Sequence, residues 1–67
     1  MAKGTVKWFD DSKGHGFITV DGSILDVRVA YDAIQKEGYR SLEEGERVEF
    51  EIVESQKGPQ AERVRSI

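Results

Sequence analysis

The sequence predicts a small all-β protein, a five-stranded antiparallel Greek-key barrel. Two observations lead to this fold class: turn-forming residues cluster at intervals, and the segments between the clusters alternate apolar and polar residues. The clusters lie at 10–14, 21–23, 43–45 and 55–59. Because the chain has 67 residues and no Cys, we expect one domain spanning 1–67, with a thin core and no disulfides.

The first predicted strand, at about residues 3–9, carries an aromatic ring on each face. Strict alternation places Val6 and Trp8 on one face and Lys7 and Phe9 on the other. Periodicity alone therefore does not decide which face is buried.

The second predicted strand, 15–20, separates two kinds of side chain. If Ile18 and Val20 are buried, Phe17 lies on the outer face beside His15. An exposed ring is unfavourable unless it has a use, so this position points to a binding surface.

The third predicted strand, 25–31, alternates apolar residues with Arg28 and Ala30. The segment that follows, 32–42, has no alternation. Asp32 begins it and is placed to cap one short helical turn, because its carboxylate can accept from the free N–H groups there.

Two more strands complete the predicted barrel. The segment 46–54 alternates apolar residues with Glu and Arg, as a half-buried strand does. The last strand covers 59–66, with Val64 facing the core and Pro59 at its start, where no ladder hydrogen bond is lost. The other expected core residues are Val6, Ile18, Val27, Val29, Val48, Phe50 and Ile52.

The formal net charge of −3 argues at first sight against a nucleic-acid partner. However, residues 1–40 contain six basic and six acidic side chains, so residues 41–67 carry the whole surplus. The Glu-rich segment 43–54 is most simply a solvated outer face. Such a face repels phosphate and directs a nucleic-acid strand to the opposite side of the barrel.

The residue inventory argues against an enzyme and against a cofactor. It contains no Ser/His/Asp order, no metal-ligand spacing and no phosphate-binding glycine loop, and the single His15 cannot form a metal site alone. No segment approaches the roughly 18 apolar residues of a membrane span, and the first residues do not resemble a signal peptide. We therefore expect a cytoplasmic protein with no membrane partner.

Basic groups, flat rings and glycines are interleaved in the segments 7–9 and 13–18. Single-stranded nucleic acid requires this mixture: cations for the phosphates, rings on which bases stack, and glycine where the strand approaches closely. The alternative is a hairpin whose rings pack into the core. Periodicity alone leaves both interpretations open.

These two segments belong to a set of five short blocks spread along the chain: Lys7-Trp8-Phe9, Lys13-Gly14-His15-Gly16-Phe17-Ile18, Ala33-Ile34-Gln35, Leu42-Glu43-Glu44-Gly45 and Lys57-Gly58-Pro59-Gln60-Ala61. In these blocks the sequence resembles the bacterial cold-shock proteins over essentially its whole length. The resemblance implies an OB-type barrel that binds single-stranded RNA or DNA and acts as an RNA chaperone. The candidate nucleic-acid-binding residues are Lys7, Trp8, Phe9, Lys13, His15, Phe17, Arg28, Tyr31, Tyr39 and Lys57.

Several positions, three on the predicted binding face and two in the turn before the third strand, depart from the family's pattern. His15 and Arg28 stand where that family usually has aromatic rings, Ala30 stands where it usually has His, and the apolar pair Ile24-Leu25 replaces polar or acidic residues. His15 is either a polar surface residue or a weaker stacking group that can take up charge near neutral pH. Arg28 is either a solvated residue paired with Asp26 or a neighbouring carboxylate, or a planar group that stacks on a base or anchors a protein partner.

Two functions of different classes follow. The first is sequence-tolerant binding of single-stranded nucleic acid, weakened by the loss of two stacking rings. The second is a redesigned or selected scaffold whose same face binds a protein or self-associates. The second rests on the apolar and planar groups at Ile24, Arg28, Tyr31 and Tyr39, which are of the kind found in protein–protein hot spots.

Overall fold

Five β-strands and one short 3-10 turn make up the computed structural model, which describes residues 1–67. In chain order they are β1 (Ala2–Asp10), β2 (His15–Val20), β3 (Asp26–Ala30), the 3-10 turn (Tyr31–Ala33), β4 (Arg47–Ser55) and β5 (Gly58–Ser66). The strands close into a barrel in the order β1-β2-β3-β5-β4. The predicted all-β class and five-stranded barrel are confirmed. Four neighbouring pairs are antiparallel, and β3 meets β5 in one short parallel contact.

The core is a single cluster of eleven buried apolar residues. Seven of the eight predicted core residues belong to it, and they are joined by Ala33, Ile34, Leu42 and Ala61. The prediction for Ile52 is wrong, since this side chain is 40% exposed. The strand β1 covers β4 only as far as the pair Ala2–Phe50, so Ile52 lies beyond the end of that cover.

A β-bulge in β1 changes which residues share a face. Val6 is opposite Ile18 and Trp8 is opposite Phe17, so Lys7 is an extra residue between two successive pairs. Val6 is consequently buried whereas Trp8 is 40% exposed. The expectation that Val6 and Trp8 share one face is therefore wrong, because strict alternation does not hold across a bulge.

The segment between β3 and β4 closes one side of the barrel. Its 3-10 turn spans Tyr31–Ala33, so Asp32 lies inside the turn, where it makes no capping hydrogen bond, contrary to the prediction. Beyond the turn, Ile34 forms a parallel bridge with Val64, and the Gln35 N–H donates to the Val64 carbonyl at 2.7 Å. These contacts fix the segment against β5. No helix in the structure has the length and apolar character needed to cross a bilayer.

Candidate nucleic-acid interface

Four strands place one residue each in a continuous row across the outside of the barrel. Trp8 on β1 is opposite Phe17 on β2, Phe17 is opposite Arg28 on β3, and Arg28 is opposite Gln60 on β5. We call these four residues the central row. Two rings, one guanidinium and one amide are thus neighbours across the sheet.

The rings at one end of the central row contact one another. The ring centroids of Trp8 and Phe17 are 5.4 Å apart and their planes are inclined by 56°. The His15 ring meets Trp8 edge-on, with centroids 5.8 Å apart and an interplanar angle of 65°. Phe17 and His15 are half-buried, while the neighbouring Ile18 is fully buried, as the alternation in this strand predicts. Trp8, Phe17 and His15 therefore form a partly open aromatic surface.

Gly16 allows β1 to approach β2 closely enough for this contact. A Cβ atom at Gly16 would lie 2.1 Å from the Trp8 carbonyl oxygen and 2.7 Å from the Phe9 Cα. No side chain fits in that space. Phe9 packs against the core from this position, so its ring serves the interior more than the outer surface.

The turn between β1 and β2 is held by the side chain of Asp10. Its Oδ1 accepts hydrogen bonds from the Ser12 hydroxyl at 2.7 Å, the Ser12 N–H at 3.0 Å and the Lys13 N–H at 3.2 Å. These bonds, chiefly the one from the Ser12 hydroxyl, lower the pKa of Asp10. The backbone from which Lys13 projects is thereby fixed next to β2.

Two exposed tyrosines border a groove of about 480 Å³ beside this turn. Tyr31 is 56% exposed and Tyr39 is 74% exposed. The Tyr31 N–H donates to the Gly14 carbonyl at 2.8 Å, and the Tyr31 ring lies next to Gly14, where a Cβ would be 3.1 Å from its Cδ1. Lys13 and Arg40 also line the groove. The groove therefore combines two phenol rings with two cationic side chains.

Half of the ten basic side chains form ion pairs with carboxylates, and the other half do not. The pairs are Lys7–Asp26, Lys36–Glu46, Arg47–Asp21, Arg63–Glu51 and Arg65–Glu49. The unpaired cations are Lys3, Lys13, Arg28, Arg40 and Lys57. Two of these line the tyrosine groove and one lies in the central row, so three of the five border the exposed rings. The net charge of −3 therefore understates the positive charge available beside those rings.

Lys7 differs from the other basic candidates because its ammonium group has a partner. Its Nζ lies 2.9 Å from Oδ2 of Asp26, and the Thr19 hydroxyl donates to Oδ1 of the same carboxylate at 3.2 Å. The hydrogen bond from Lys7 is the main reason that the pKa of Asp26 is lowered. The alternative in which Asp26 pairs with Arg28 is therefore wrong.

The structure gathers the sequence-predicted residues into two adjoining groups. Trp8, His15, Phe17 and Arg28 share the sheet surface, while Lys13, Tyr31 and Tyr39 surround the groove. Lys7 lies next to the sheet group, on the bulge of β1, and Phe9 packs against the core from the same strand. Lys57 is exposed in the turn between β4 and β5.

Sequence reasoning missed two residues of this surface. Gln60 enters the central row only through the parallel contact between β3 and β5, which no local pattern indicates. Arg40 lines the groove, and its position next to Tyr39 was the one available signal. No group of three or more His, Cys, Asp or Glu side chains is arranged to hold a metal ion.

A barrel with an open aromatic and basic surface is the architecture of a single-stranded nucleic-acid-binding domain. Comparison with known proteins identifies the class more closely. Residues 2–67 match the family model described as the 'Cold-shock' DNA-binding domain. The chain belongs to this family, as the resemblance in its motifs predicted, and it is a nucleic-acid-binding type of domain.

Curated relatives match over nearly the whole chain. Cold shock-like protein CspA of Stigmatella aurantiaca is 57% identical over 67 residues, which cover 100% of this chain and 98% of that protein. Cold shock-like protein CspLB of Listeria monocytogenes is 57% identical over 67 residues, 100% of both chains. Cold shock protein CspA of Staphylococcus saprophyticus is 59% identical over 64 residues, 96% of both.

A solved structure agrees at the level of the fold. The structure described as Drosophila Unr CSD456 superposes with a TM-score of 0.81 at 18% identity. The match covers 98% of this chain and 26% of that longer chain. It supports the barrel architecture and carries no argument about a shared ligand.

Proposed function

We propose that this chain binds single-stranded RNA or DNA, with little dependence on overall sequence, across the central row and the tyrosine groove, and that it acts as an RNA chaperone. The observation that carries the proposal is the contact between Trp8 and Phe17 on an open face, with unpaired cations beside it. Every base has a flat face that can stack on such rings, and the cations attract the phosphates.

The same geometry supports reduced affinity. His15 and Arg28 occupy two positions of the face where a larger aromatic ring would provide a better stacking platform, and Ala30, opposite His15, offers only a methyl group. Stacking contributes on the order of 1–3 kcal/mol per base, so the loss of two platforms corresponds to roughly a hundredfold weaker binding. The ion pair between Lys7 and Asp26 removes one further phosphate contact.

Trp8 provides a direct test, because it is the only Trp in the chain. Titration with oligo-dT is expected to quench its fluorescence at low salt. The logarithm of the binding constant should fall with the logarithm of salt concentration by about 0.7 for each phosphate contact.

Two alanine variants provide the matched comparison for that titration. Phe17→Ala removes a ring of the central row, whereas Ile67→Ala shortens an exposed side chain just beyond the end of β5, away from the row. Phe17→Ala should weaken binding about tenfold and Ile67→Ala should leave it unchanged. Absence of quenching at low salt and high oligonucleotide concentration would overturn the proposal.

A second candidate function is protein binding or self-association through exposed apolar groups, as expected of a redesigned or selected scaffold. The observation that favours it is Ile24, whose side chain is fully exposed next to a Leu25 that is 43% exposed. Sedimentation over a wide concentration range tests self-association, and a concentration-independent monomer would count against it. The double variant Arg28→Phe/Ala30→His separates the two functions, because a large gain in oligonucleotide affinity would show that the face has been directed away from nucleic acid.

A further inference from the structure

Arg28 lies in the middle of the central row and has no partner within the protein. Phe17 is opposite it on β2, and Gln60 is opposite it on β5. Arg28 takes part in none of the five ion pairs of the structure. Its guanidinium carries five N–H donors in a fixed planar arrangement, so these donors remain free for a ligand.

The neighbours of Arg28 determine which part of a ligand these donors meet. A base stacked on Phe17 covers the ring with its flat face and extends its edge across the row. The next residue in that direction on β3 is Arg28, and the side-chain amide of Gln60 follows on β5. Arg28 is half-buried as a residue. Hydrogen-bond donors therefore belong to the two residues that follow the stacking ring along the row.

We propose that Arg28 gives this face a preference for guanine at the nucleotide stacked on Phe17. Guanine presents two adjacent acceptors, O6 and N7, and a guanidinium donates to both at once. Adenine presents one acceptor beside an amino donor, cytosine presents a donor, and thymine or uracil presents a single acceptor beside a carbon atom. In a single strand this edge of the base is free, because no duplex groove limits access to it.

The inference rests on the proposed function and adds a base preference to it. A ring at position 28 would stack on any base and discriminate little among them. A guanidinium exchanges part of that general stacking for a pair of hydrogen bonds that, on the edge carrying N7, only guanine accepts. The competing role for Arg28 is contact with a phosphate, which would strengthen binding equally for every base.

Heptanucleotides of dT in which one residue is replaced by dG, dA or 7-deaza-dG test the inference through quenching of Trp8 fluorescence. The replacement is moved through each position, because the register of the strand on the face is set by the stacking residues. At the best position the dG oligonucleotide should bind about tenfold more tightly than the dT and dA oligonucleotides. The 7-deaza-dG oligonucleotide, which retains the ring system but lacks the N7 acceptor, should lose most of that gain.

Variants at two arginines distinguish base recognition from phosphate contact. Arg28→Lys retains the charge but loses the planar pair of donors, so it should reduce the dG preference and leave the salt dependence unchanged. Arg40→Lys, at the groove and outside the row, should leave the dG preference intact. Circular dichroism of each variant confirms that the barrel is folded.

The experiments distinguish the loss of the base preference from the loss of nucleic-acid binding itself. Equal binding of all four oligonucleotides, or a dG preference of the same size in Arg28→Ala as in the unmodified chain, would overturn the inference and leave the proposed function standing. A uniform loss for all oligonucleotides in Arg28→Ala, with the salt slope reduced by about 0.7, would assign Arg28 to a phosphate and also overturn it. Absence of quenching with every oligonucleotide would overturn the proposed function together with the inference.

Discussion

The ammonium group of Lys7 and the carboxylate of Asp26 are 2.9 Å apart, which joins β1 to β3 across the intervening β2. Lys7 is the bulged residue of β1, and Asp26 is the first residue of β3. Thr19 of β2 donates to the same carboxylate from between them. The pair therefore neutralises the one cation that lies directly next to Trp8 in the chain.

Releasing Lys7 from this pair should strengthen binding of nucleic acid. In Asp26→Asn the ammonium group has no carboxylate partner and becomes available to a phosphate. We expect oligo-dT affinity to rise several-fold at low salt and the salt slope to steepen by about 0.7, which corresponds to one additional phosphate contact. Titrations of Trp8 fluorescence at several salt concentrations measure both quantities.

Glu49→Gln is the matched control for Asp26→Asn. It makes the same change in net charge and releases Arg65, but it lies on β4, which contributes nothing to the central row. Its salt slope should equal that of the unmodified chain. Equal effects of the two variants would show that overall charge, and not the release of Lys7, controls the affinity.

Acid should destabilise the barrel because it protonates carboxylates that form ion pairs in the folded state. Hydrogen bonds from Arg47 hold the pKa of Asp21 below its ordinary 3.8, and hydrogen bonds from Arg65 hold the pKa of Glu49 below its ordinary 4.5. A group whose pKa is lower in the folded state stabilises that state above the unfolded pKa and loses this contribution as the pH falls through the folded pKa. The midpoint of thermal unfolding should therefore decrease as the pH falls from about 4.5.

The double variant Asp21→Asn/Glu49→Gln checks the cause of that decrease. At pH 7 the double variant should have a lower midpoint of thermal unfolding than the unmodified chain. In acid the two midpoints should converge, because the unmodified chain loses the stabilisation from these carboxylates and the variant does not have it. High salt should reduce the difference between the two proteins, since these side chains are exposed. Melting curves that stay parallel from neutral to acid pH would contradict the assignment.

Alternation in the sequence predicted β2 and β3 well because neither strand is interrupted. Ile18, Val27 and Val29 are fully buried, and Phe17 lies on the outer side as expected. Alternation failed at Val6 and Trp8, because a bulge shifts the pattern by one residue and leaves no mark in the composition. A local pattern therefore predicts faces only where the ladder between strands is regular.

Contacts between distant segments could not be predicted from the sequence, for a different reason. Position 52 of β4 reads as a core residue, but its burial depends on how far β1 extends beside it. Gln60 becomes a neighbour of Arg28 only when β3 and β5 close the barrel. The partner of Asp26 was likewise decided by the bulge that carries Lys7. That rings and cations lie together on one face could be predicted, whereas the pairings between them required the closed barrel.

Adding a methyl group at Gly16 should separate the two strands that carry the rings. The new Cβ would meet backbone atoms of Trp8 and Phe9 at 2.1 and 2.7 Å, and backbone atoms cannot move aside as a flexible side chain can. We expect Gly16→Ala to lower the free energy of unfolding by about 3 kcal/mol, at the upper end of ordinary overpacking, and to weaken binding. Chemical denaturation and Trp8 fluorescence measure the two effects.

Gly22→Ala is the comparison that isolates the effect of close approach. Gly22 has a φ of 73°, so a side chain there is strained, but nothing lies within 4 Å of its Cβ position. That variant should lose only about 1 kcal/mol and retain oligonucleotide binding. Gly16 itself has no positive φ. A loss in Gly16→Ala no larger than that in Gly22→Ala would therefore show that the two strands can separate to admit a methyl group at little cost.

Replacing His15 by Phe should increase both stability and affinity. Nδ1 of His15 is buried and has no hydrogen-bond partner, so the imidazole bears a desolvation cost of about 1 kcal/mol that a phenyl ring does not. The phenyl ring retains the contact with Trp8 and provides a stacking surface worth on the order of 1–3 kcal/mol per base, or about a tenfold gain in affinity. Denaturation should therefore give a higher free energy of unfolding for His15→Phe, and titration with oligo-dT should give a higher affinity. His15→Ala removes the same buried nitrogen without adding a ring, so it should lose affinity. If His15→Phe and His15→Ala bind alike, position 15 contributes no stacking surface to the face.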